Sequence, residues 1–273
     1  MKRTPRTILV NTALVVGALL TAFPLLWMVS VSFMPTGAAG HFPPPMLPKE
    51  PTLQNYRELF ANHSAGRYML NSALVATIAT GISIILNTMA GYAFAKLRFA
   101  GRDRIFRLLL GALVIPAQVT MIPLFAIVKS MGLVSTYPGV VIPTMTSIFG
   151  IFLVRQYSLG LPNELLEAAR IDGAGEGRIF LSVVMPLLQP IIVTLAILTF
   201  LATWNDFMWP LIVLTDQKLH TLPVALAGLS REHVQDNELM MAGSVVTVLP
   251  VLVLFLAMQR YYIAGILAGG VKG

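Results

Sequence analysis

The 273-residue sequence contains no cysteine and few charged residues. Without cysteine the chain can form neither disulfide bonds nor a cysteine-based zinc or redox site. Asp, Glu, Lys and Arg make up 11% of the residues and hydrophobic residues 56%, whereas soluble domains contain roughly a quarter charged residues. A water-soluble protein of this composition would have too little polar surface to cover itself. We therefore infer that much of the chain is surrounded by lipid.

Motifs that would indicate catalysis are also missing. The sequence has no G-x-x-x-x-G-K-[ST] phosphate-binding loop and no H-E-x-x-H zinc pair, so we name no catalytic residue and no metal ligand and do not expect an enzyme. The net charge of +7 does not indicate nucleic-acid binding. The basic residues lie at the ends of apolar segments, where membrane topology explains them.

Long apolar stretches between charged residues recur six times along the chain. A helix that crosses the hydrocarbon core of about 30 Å needs about 20 mostly apolar residues. The sequence therefore predicts an all-α fold, a polytopic membrane bundle of six transmembrane helices that forms a single domain over residues 1–273. The predicted spans lie at about 8–33, 70–95, 107–129, 139–155, 178–213 and 238–260. Prolines in five of them predict kinked helices.

The basic residues also predict how the bundle is oriented. Six spans place both termini on the same side, and with the termini inside, 13 of the 19 Lys and Arg residues fall on the inner side. The positive-inside rule therefore predicts that both termini are cytoplasmic. The outer segments are then about 35–67 and 215–238, and the first of these contains a short amphipathic helix at about 53–60. The longest inner loop lies at about 155–190.

The inner loop contains a pattern that predicts two short helices joined at glycines. Pro162 suits a first helical position, and Gly173 can adopt the left-handed conformation that ends a helix. A second helix would run from about Glu176 to Val184. Helical spacing places four small or apolar residues on one face, where another protein could approach closely: Leu161, Leu165, Ala168 and Ala169. Periodicity alone leaves open a hairpin that merely covers the end of the bundle.

Three ordered motifs make this sequence similar to the permease subunits of ATP-binding-cassette (ABC) importers. The inner loop resembles the EAA motif of that family through Glu167-Ala168-Ala169, Asp172-Gly173-Ala174 and Pro186. Two further stretches resemble its carbohydrate branch, of which the maltose permease is a member. They are Trp204-Asn205-Asp206 with Trp209-Pro210, and the tail Gln259-Arg260, Gly265 and Gly270-Val271-Lys272-Gly273.

The resemblance implies a function and a set of partners. The chain would be the permease subunit of an importer that moves a sugar or sugar derivative into the cytoplasm by alternating access. Its partners would be a homologous second permease, two ATP-binding subunits and an extracytoplasmic solute-binding protein. The chain itself would carry no cofactor, because ATP and Mg would bind the ATPase subunits. The expected location is the cytoplasmic (inner) membrane of a bacterium or archaeon, crossed several times.

The resemblance also implies roles for individual residues. The inner loop would dock on an ATPase subunit as a coupling loop, and Lys272 in the tail would lie near the same interface. The outer segment at about 215–238 would face the binding protein. The residues implied in ATPase docking are Glu167, Ala168, Ala169, Asp172 and Gly173.

Three polar or aromatic residues near the end of the fifth predicted span are candidates for the substrate pathway. Asp206 is a carboxylate in an apolar segment, where ionisable groups are costly and indicate function. With Asn205 it could hydrogen-bond to a carbohydrate, while Trp204 could stack on a sugar ring. In the alternative interpretation, which we favour, Asn205 and Asp206 stabilise a break in the span near the outer interface, and Trp204 is an interfacial aromatic residue.

Two other classes of protein remain as alternatives at this point. An ion-coupled secondary transporter usually has several ionisable residues at mid-membrane, often in repeated halves. Here Asp206 stands nearly alone and no internal repeat is found. An intramembrane enzyme is less favoured still, because the sequence lacks cysteine and all four histidines lie outside the predicted spans.

Overall fold

The computed structural model describes residues 5–232 and 236–270, and within these ranges every regular element is helical. This confirms the predicted all-α fold. The α-helices are α1 (Pro5–Ser32), α2 (Gln54–Ala61), α3 (Ala65–Lys96), α4 (Arg102–Ala112), α5 (Ala117–Ser130), α6 (Tyr137–Thr144), α7 (Ile148–Leu159), α8 (Asn163–Ile171), α9 (Glu176–Ile179), α10 (Met185–Leu187), α11 (Gln189–Trp204), α12 (Met208–Val213), α13 (Leu222–Glu232) and α14 (Asn237–Gly270). A π-helical turn at Phe180–Val184 joins α9 to α10, and short 3-10 helices lie at Ala38–Gly40 and Gln217–Leu219.

Helices long and apolar enough to cross a membrane occur singly and as bent pairs. The three single ones are Leu9–Ser32, Ala65–Lys96 and Asn237–Gln259. Three pairs also qualify when taken together: α4 with α5, α6 with α7, and the helical stretch Glu176–Leu187 with α11. They bend by 106°, 41° and 79° respectively. The described residues therefore contain six candidate spans if each bent pair is one span.

The bends lie near prolines, as the sequence predicts. Pro116 precedes α5 in an extended conformation, with φ −60° and ψ 134°, and it has no N–H to continue the helix before it. Pro143 lies near the end of α6, and Pro186 and Pro190 flank the bend at Leu188. By contrast, α1 and α14 continue through Pro24 and Pro250 without interruption. Proline in this chain therefore marks the short, bent spans more than the long ones.

The fifth span differs from its predicted extent. The sequence predicts a span that continues to Val213, but α11 ends at Trp204 and a separate helix, α12, begins at Met208. The interruption at residues 205–207 agrees with the interpretation that Asn205 and Asp206 mark a break in the span.

The described chain divides into two compact units. In the first, residues 5–69, 222–232 and 236–250, Asn55 of α2 hydrogen-bonds to carbonyl groups at the end of α1. Its Nδ2 donates to the carbonyl oxygens of Ser32 at 2.9 Å and Met34 at 2.8 Å. The last carbonyls of a helix have no partner inside the helix, so this buried amide attaches the predicted amphipathic helix of the outer segment to the first span.

The second unit, residues 70–221 and 251–270, contains two apolar clusters along α3. One joins Val75 and Ala79 of α3 to residues of α5, α6 and α12, among them Val128, Val140 and Trp209. The other joins Tyr92 of α3 to residues of α7, α8 and the helices that follow, among them Val154, Leu166, Ile179, Leu188 and Leu195. The second cluster positions the candidate site, because Leu166 and Ile179 belong to the predicted inner loop.

Two glycines, one on each helix, allow α3 and α7 to approach closely. A Cβ added to Gly91 would lie 2.6 Å from Cβ of Val154, and one added to Gly150 would lie 2.9 Å from Nδ2 of Asn87. Asn87 is fully buried, its Nδ2 donates to Ser83 Oγ at 2.6 Å and its Oδ1 accepts from the N–H of Ser147 at 3.1 Å. Glycines that allow close backbone approach are typical of helix contacts in membranes.

Candidate functional site

The candidate site is the EAA segment, defined here as residues 155–190. Its first helix, α8, has nine residues and begins after Pro162, which is the N-cap rather than the predicted first helical residue. Glu164 lies in the first turn and Arg170 in the last, the arrangement that the helix dipole favours. Leu166 is buried and packs with Ile179 of α9. These two residues hold the hairpin against α3 and α7.

A glycine turn ends α8 and redirects the chain into α9. The N–H of Gly173 donates to the carbonyl of Arg170, and the N–H of Ala174 to that of Ala169, both at 3.0 Å. With φ +80° at Gly173, these two bonds form a Schellman motif. Ala169 and Ala174 both pack against the apolar cluster, which is the hydrophobic contact that accompanies this motif. Gly173 therefore ends α8 in the left-handed conformation, as the sequence predicts.

An ion pair connects the two helices across the turn. Nε of Arg170 donates to Oε1 of Glu176 at 2.7 Å, and the two side chains remain 41% and 50% exposed. This hydrogen bond raises the pKa of the Arg170 guanidinium. An exposed pair contributes little stability by itself, so we assign it to holding the turn in shape. Glu176, which sequence reasoning named only as a helix start, thus belongs to the site.

The exposed face of α8 differs from the predicted one. The four residues expected on a common face divide: Leu161 and Ala169 pack inward, while Leu165 and Ala168 are exposed. Glu167, Asp172 and Gly173 are also exposed. Ile171 is 86% exposed, and sequence reasoning missed it. A large apolar residue in the last turn of a short polar helix was the signal that would have identified it.

Lys96 at the end of α3 fastens the start of α8. Its Nζ donates to the carbonyl of Leu161 at 2.7 Å and to Oδ1 of Asn163 at 2.8 Å. Beside it lies a cleft of about 670 Å³ whose lining includes Lys96, Asn163, Glu167, Arg170 and Glu176. The EAA segment is therefore hydrogen-bonded directly to α3, the second predicted span.

Under the coupling role that the sequence resemblance implies, Lys96→Met is expected to lower the amount of substrate transported per ATP hydrolysed about fivefold while leaving the importer assembled. The reason is that α8 loses two hydrogen bonds to a cation, a change of about 1 kcal/mol or more. The measurement compares ATP hydrolysis with uptake in proteoliposomes. Lys129→Met, which removes the same charge at the exposed end of α5, should keep the normal ratio. An unchanged ratio in Lys96→Met would contradict a role for Lys96 in transmission.

The three candidate pathway residues lie at the break between α11 and α12. Trp204 is 2% exposed, and its ring stacks on that of Phe200 with 5.8 Å between centroids. Asn205 is exposed, and its Nδ2 donates to the carbonyl of Leu201 at 2.8 Å. Oδ1 of Asp206 accepts from the N–H of Trp209 at 3.4 Å. Contact between these residues and a substrate stays a prediction, and Trp204 would have to leave its contact with Phe200 to stack on a sugar.

Asp206→Asn is expected to change uptake by less than about twofold, because the amide oxygen can accept the same N–H and Asn serves as well as Asp at helix starts. Asp206→Ala should destabilise α12 by about 0.5–2 kcal/mol, the usual cost of losing such an acceptor. Uptake kinetics and thermal unfolding of the purified importer measure both effects. A large change in apparent substrate affinity of Asp206→Asn, with assembly intact, would indicate substrate contact instead.

The predicted tail residue Lys272 lies outside the described residues. The structure therefore contributes nothing on its position. Among residues 5–232 and 236–270 no group of His, Cys, Asp and Glu side chains with described positions has the arrangement of a metal site.

The fold and the site together define a class of protein. Multiple apolar spans, three of them bent, and an exposed helical hairpin held to the end of the second span are features of an α-helical membrane transport subunit. The sequence of residues 87–267 matches the family described as "Binding-protein-dependent transport system inner membrane component". The chain belongs to this family. Its relatives are named as transport permease proteins, so it is a multi-pass membrane permease subunit of an ABC importer and not an enzyme, and the family does not favour an ion-coupled transporter.

Individual relatives are similar over almost the whole chain. The arabinooligosaccharides transport system permease protein AraQ of Halalkalibacterium halodurans is 40% identical over 265 residues, covering 94% of this chain and 93% of the relative. The trehalose transport system permease protein SugB of Mycobacterium tuberculosis is 35% identical over 268 residues, covering 95% of each. A chain in the crystal structure of a bacterial ABC transporter involved in the import of the acidic polysaccharide alginate has a TM-score of 0.83 and 23% identity, covering 96% of this chain and 99% of that one. This last similarity shows the fold.

Proposed function

We propose that this chain forms part of the path by which an importer moves a sugar or sugar derivative into the cytoplasm, and that its EAA segment docks on an ATPase subunit. The observation that carries the docking proposal is the geometry of α8. One side of this helix is anchored by buried Leu166, and the other presents Leu165, Ala168 and Ile171. An exposed apolar face on an otherwise anchored helix supports a protein partner.

The remaining parts of the system follow from this docking. Two ATPase subunits would bind ATP and Mg, and a homologous permease would complete the pathway. Both termini and the EAA segment would lie in the cytoplasm of a bacterium or archaeon. The outer segment at about 215–238 would face an extracytoplasmic binding protein, and Lys272 would lie near the ATPase. Closure of the ATPase subunits would then move α8 and, through Lys96, the second span.

A sugar or sugar derivative is the proposed cargo because relatives of high similarity carry the names of arabinooligosaccharide and trehalose transport systems. These names differ in the sugar they specify, so the proposal extends to the class of substrate. Mass spectrometry of the ligand that remains with the co-purified binding protein tests it. A sugar supports the proposal, whereas an amino acid, peptide or metal ion would overturn it.

Photo-crosslinking tests the docking surface directly. A photoreactive amino acid in place of the exposed Ile171 should give an adduct with an ATPase subunit in membranes that contain the whole importer. The same amino acid in place of Phe42, which is 97% exposed in the first outer segment, should give none. Absence of an ATPase adduct from position 171, with expression and assembly intact, would refute the docking of this face.

Glu167→Lys is expected to reduce substrate-stimulated ATP hydrolysis and uptake on the order of tenfold, because reversing a charge inside an interface places unmatched charge against the partner. Membrane insertion should be normal, since Glu167 is exposed. Glu50→Lys, the same exchange at an exposed position of the outer segment, is the control and should hydrolyse ATP normally. Normal hydrolysis and uptake in Glu167→Lys would count against its place in the interface.

A further inference from the structure

A cluster of arginines follows the second span and adjoins the cleft beside the EAA segment, whose lining also includes Arg98 and Arg102. A cleft of about 670 Å³ is lined there by Arg98, Arg102, Arg104 and Arg107, with Asp103 as the acidic residue in its lining. Asp103 is already engaged, because Nε of Arg102 donates to its Oδ1 at 3.0 Å. The cleft therefore holds an excess of positive charge that an anion could neutralise.

Two of these arginines have no partner in the part of the chain that the structure describes. Arg102 bonds to Asp103 and to the carbonyl of Leu97, and Arg107 donates to the carbonyl of Asp103. Arg98 and Arg104, both exposed, make neither a hydrogen bond nor an ion pair with any described residue. A guanidinium group presents several donors in a plane and binds phosphate oxygens in pairs.

The position of α4 is fixed from its inner side. Phe106 is 6% exposed, the guanidinium of Arg155 lies 4.1 Å from the centre of its ring, and the ring of Phe94 lies 5.5 Å away. The helix is thus attached to α3 and α7 through one aromatic residue. Arg104 and Arg107 remain on its exposed surface.

The same helix also exposes apolar side chains. Leu108 is 74% exposed and Ile105 45%, and Leu108 follows Arg104 by four residues, one turn along α4. α4 is turned by 106° from α5. The two helices of this bent pair cannot both run along the membrane normal. If α5, of 14 residues, is the part of the third span that enters the membrane, α4 lies close to the plane of the membrane surface, as amphipathic helices do at the boundary of headgroups and acyl chains.

We infer that Arg98, Arg104 and their neighbours form a binding site for the phosphate of an anionic phospholipid headgroup, with Leu108 and Ile105 against the acyl chains. The inference rests on the proposed cytoplasmic position of this loop. Basic clusters at the inner ends of spans attract anionic lipids by about 1 kcal/mol per arginine. A soluble protein partner would explain the charges but not the neighbouring exposed leucine and isoleucine on a helix turned into the membrane plane.

The test compares two double variants of the purified importer. R98Q/R104Q removes the two arginines without a described partner, and R57Q/R67Q removes two exposed arginines of the first outer segment. Native mass spectrometry measures the binding of phosphatidylglycerol and of phosphatidylcholine to each. We expect R98Q/R104Q to lower the phosphatidylglycerol affinity by about tenfold or more, while R57Q/R67Q and all phosphatidylcholine binding stay unchanged.

Other outcomes would overturn the inference. Unchanged phosphatidylglycerol binding in R98Q/R104Q, or equal losses in both double variants, would show that these arginines do not form a lipid-binding site. Displacement of the lipid by millimolar inorganic phosphate would assign the cleft to a free anion. Loss of the ATPase subunit with lipid binding intact would assign it to a protein. Because lipid binding is read independently of crosslinking from position 171, failure here is distinguishable from failure of the docking proposal.

Discussion

Gly173→Val is expected to leave the permease inserted and assembled but to reduce transport per ATP on the order of tenfold. Gly173 has φ +80° in the turn that ends α8, a conformation that costs a β-branched residue about 1–3 kcal/mol. A Cβ at this position would meet no atom within 4 Å. The penalty is therefore conformational, and it distorts the turn that sets the direction of α8 relative to α9.

Gly177 provides a matched control for this substitution. It lies four residues later in the same segment, an added Cβ would also meet open space, and its φ is not positive. Gly177→Val should therefore retain nearly normal coupling. ATP hydrolysis and uptake measured together in proteoliposomes give the ratio for both variants. Normal substrate-stimulated hydrolysis and normal uptake in Gly173→Val would show that the turn does not transmit motion.

Gly91→Ala is expected to destabilise the permease by about 1–3 kcal/mol, the usual cost of overpacking a close contact. The added Cβ would lie 2.6 Å from Cβ of Val154, 2.7 Å from its Cγ1 and 3.0 Å from the backbone nitrogen of Arg155. A backbone atom cannot rotate away, so α3 and α7 must separate. Thermal unfolding of the purified importer should begin several degrees lower than in the wild type.

Gly81→Ala is the control for helix propensity. Gly81 lies on the same helix, and an added Cβ would have nothing within 4 Å, so alanine should be neutral or stabilise by up to about 1 kcal/mol. Equal unfolding temperatures for the two variants would mean that α3 and α7 do not approach as closely as the structure shows. A lower temperature for Gly91→Ala alone would confirm that this contact joins the second and fourth spans.

Sequence reasoning succeeded where composition and local chemistry are decisive. Apolar length predicts the spans, because an unpaired backbone group is costly in lipid whatever the rest of the fold. Proline at positions 116, 143, 186 and 190 predicts where spans bend, since a missing N–H breaks a helix locally. The Schellman turn at Gly173 follows from the same kind of local rule.

It failed where the outcome depends on which side of a helix meets a neighbour. Helical spacing grouped Leu165 with Leu161 and Ala169, yet Leu166 is the residue that packs with Ile179. A nine-residue helix has two plausible apolar faces, and the choice between them depends on the cluster that α3 and α7 provide. The exposed Ile171 and the bonds from Lys96 to α8 depend on the same packing.

The sequence by itself determined that this chain is a helical membrane protein and, through the EAA motif, pointed to its family. Both conclusions depend on residue types and short spacings, which need no knowledge of distant contacts. Only the tertiary structure decided which face of α8 is exposed, which lysine holds that helix, and which arginines remain without a partner. Those answers come from residues far apart in the chain, such as Lys96 and Asn163, and packing alone brings them together.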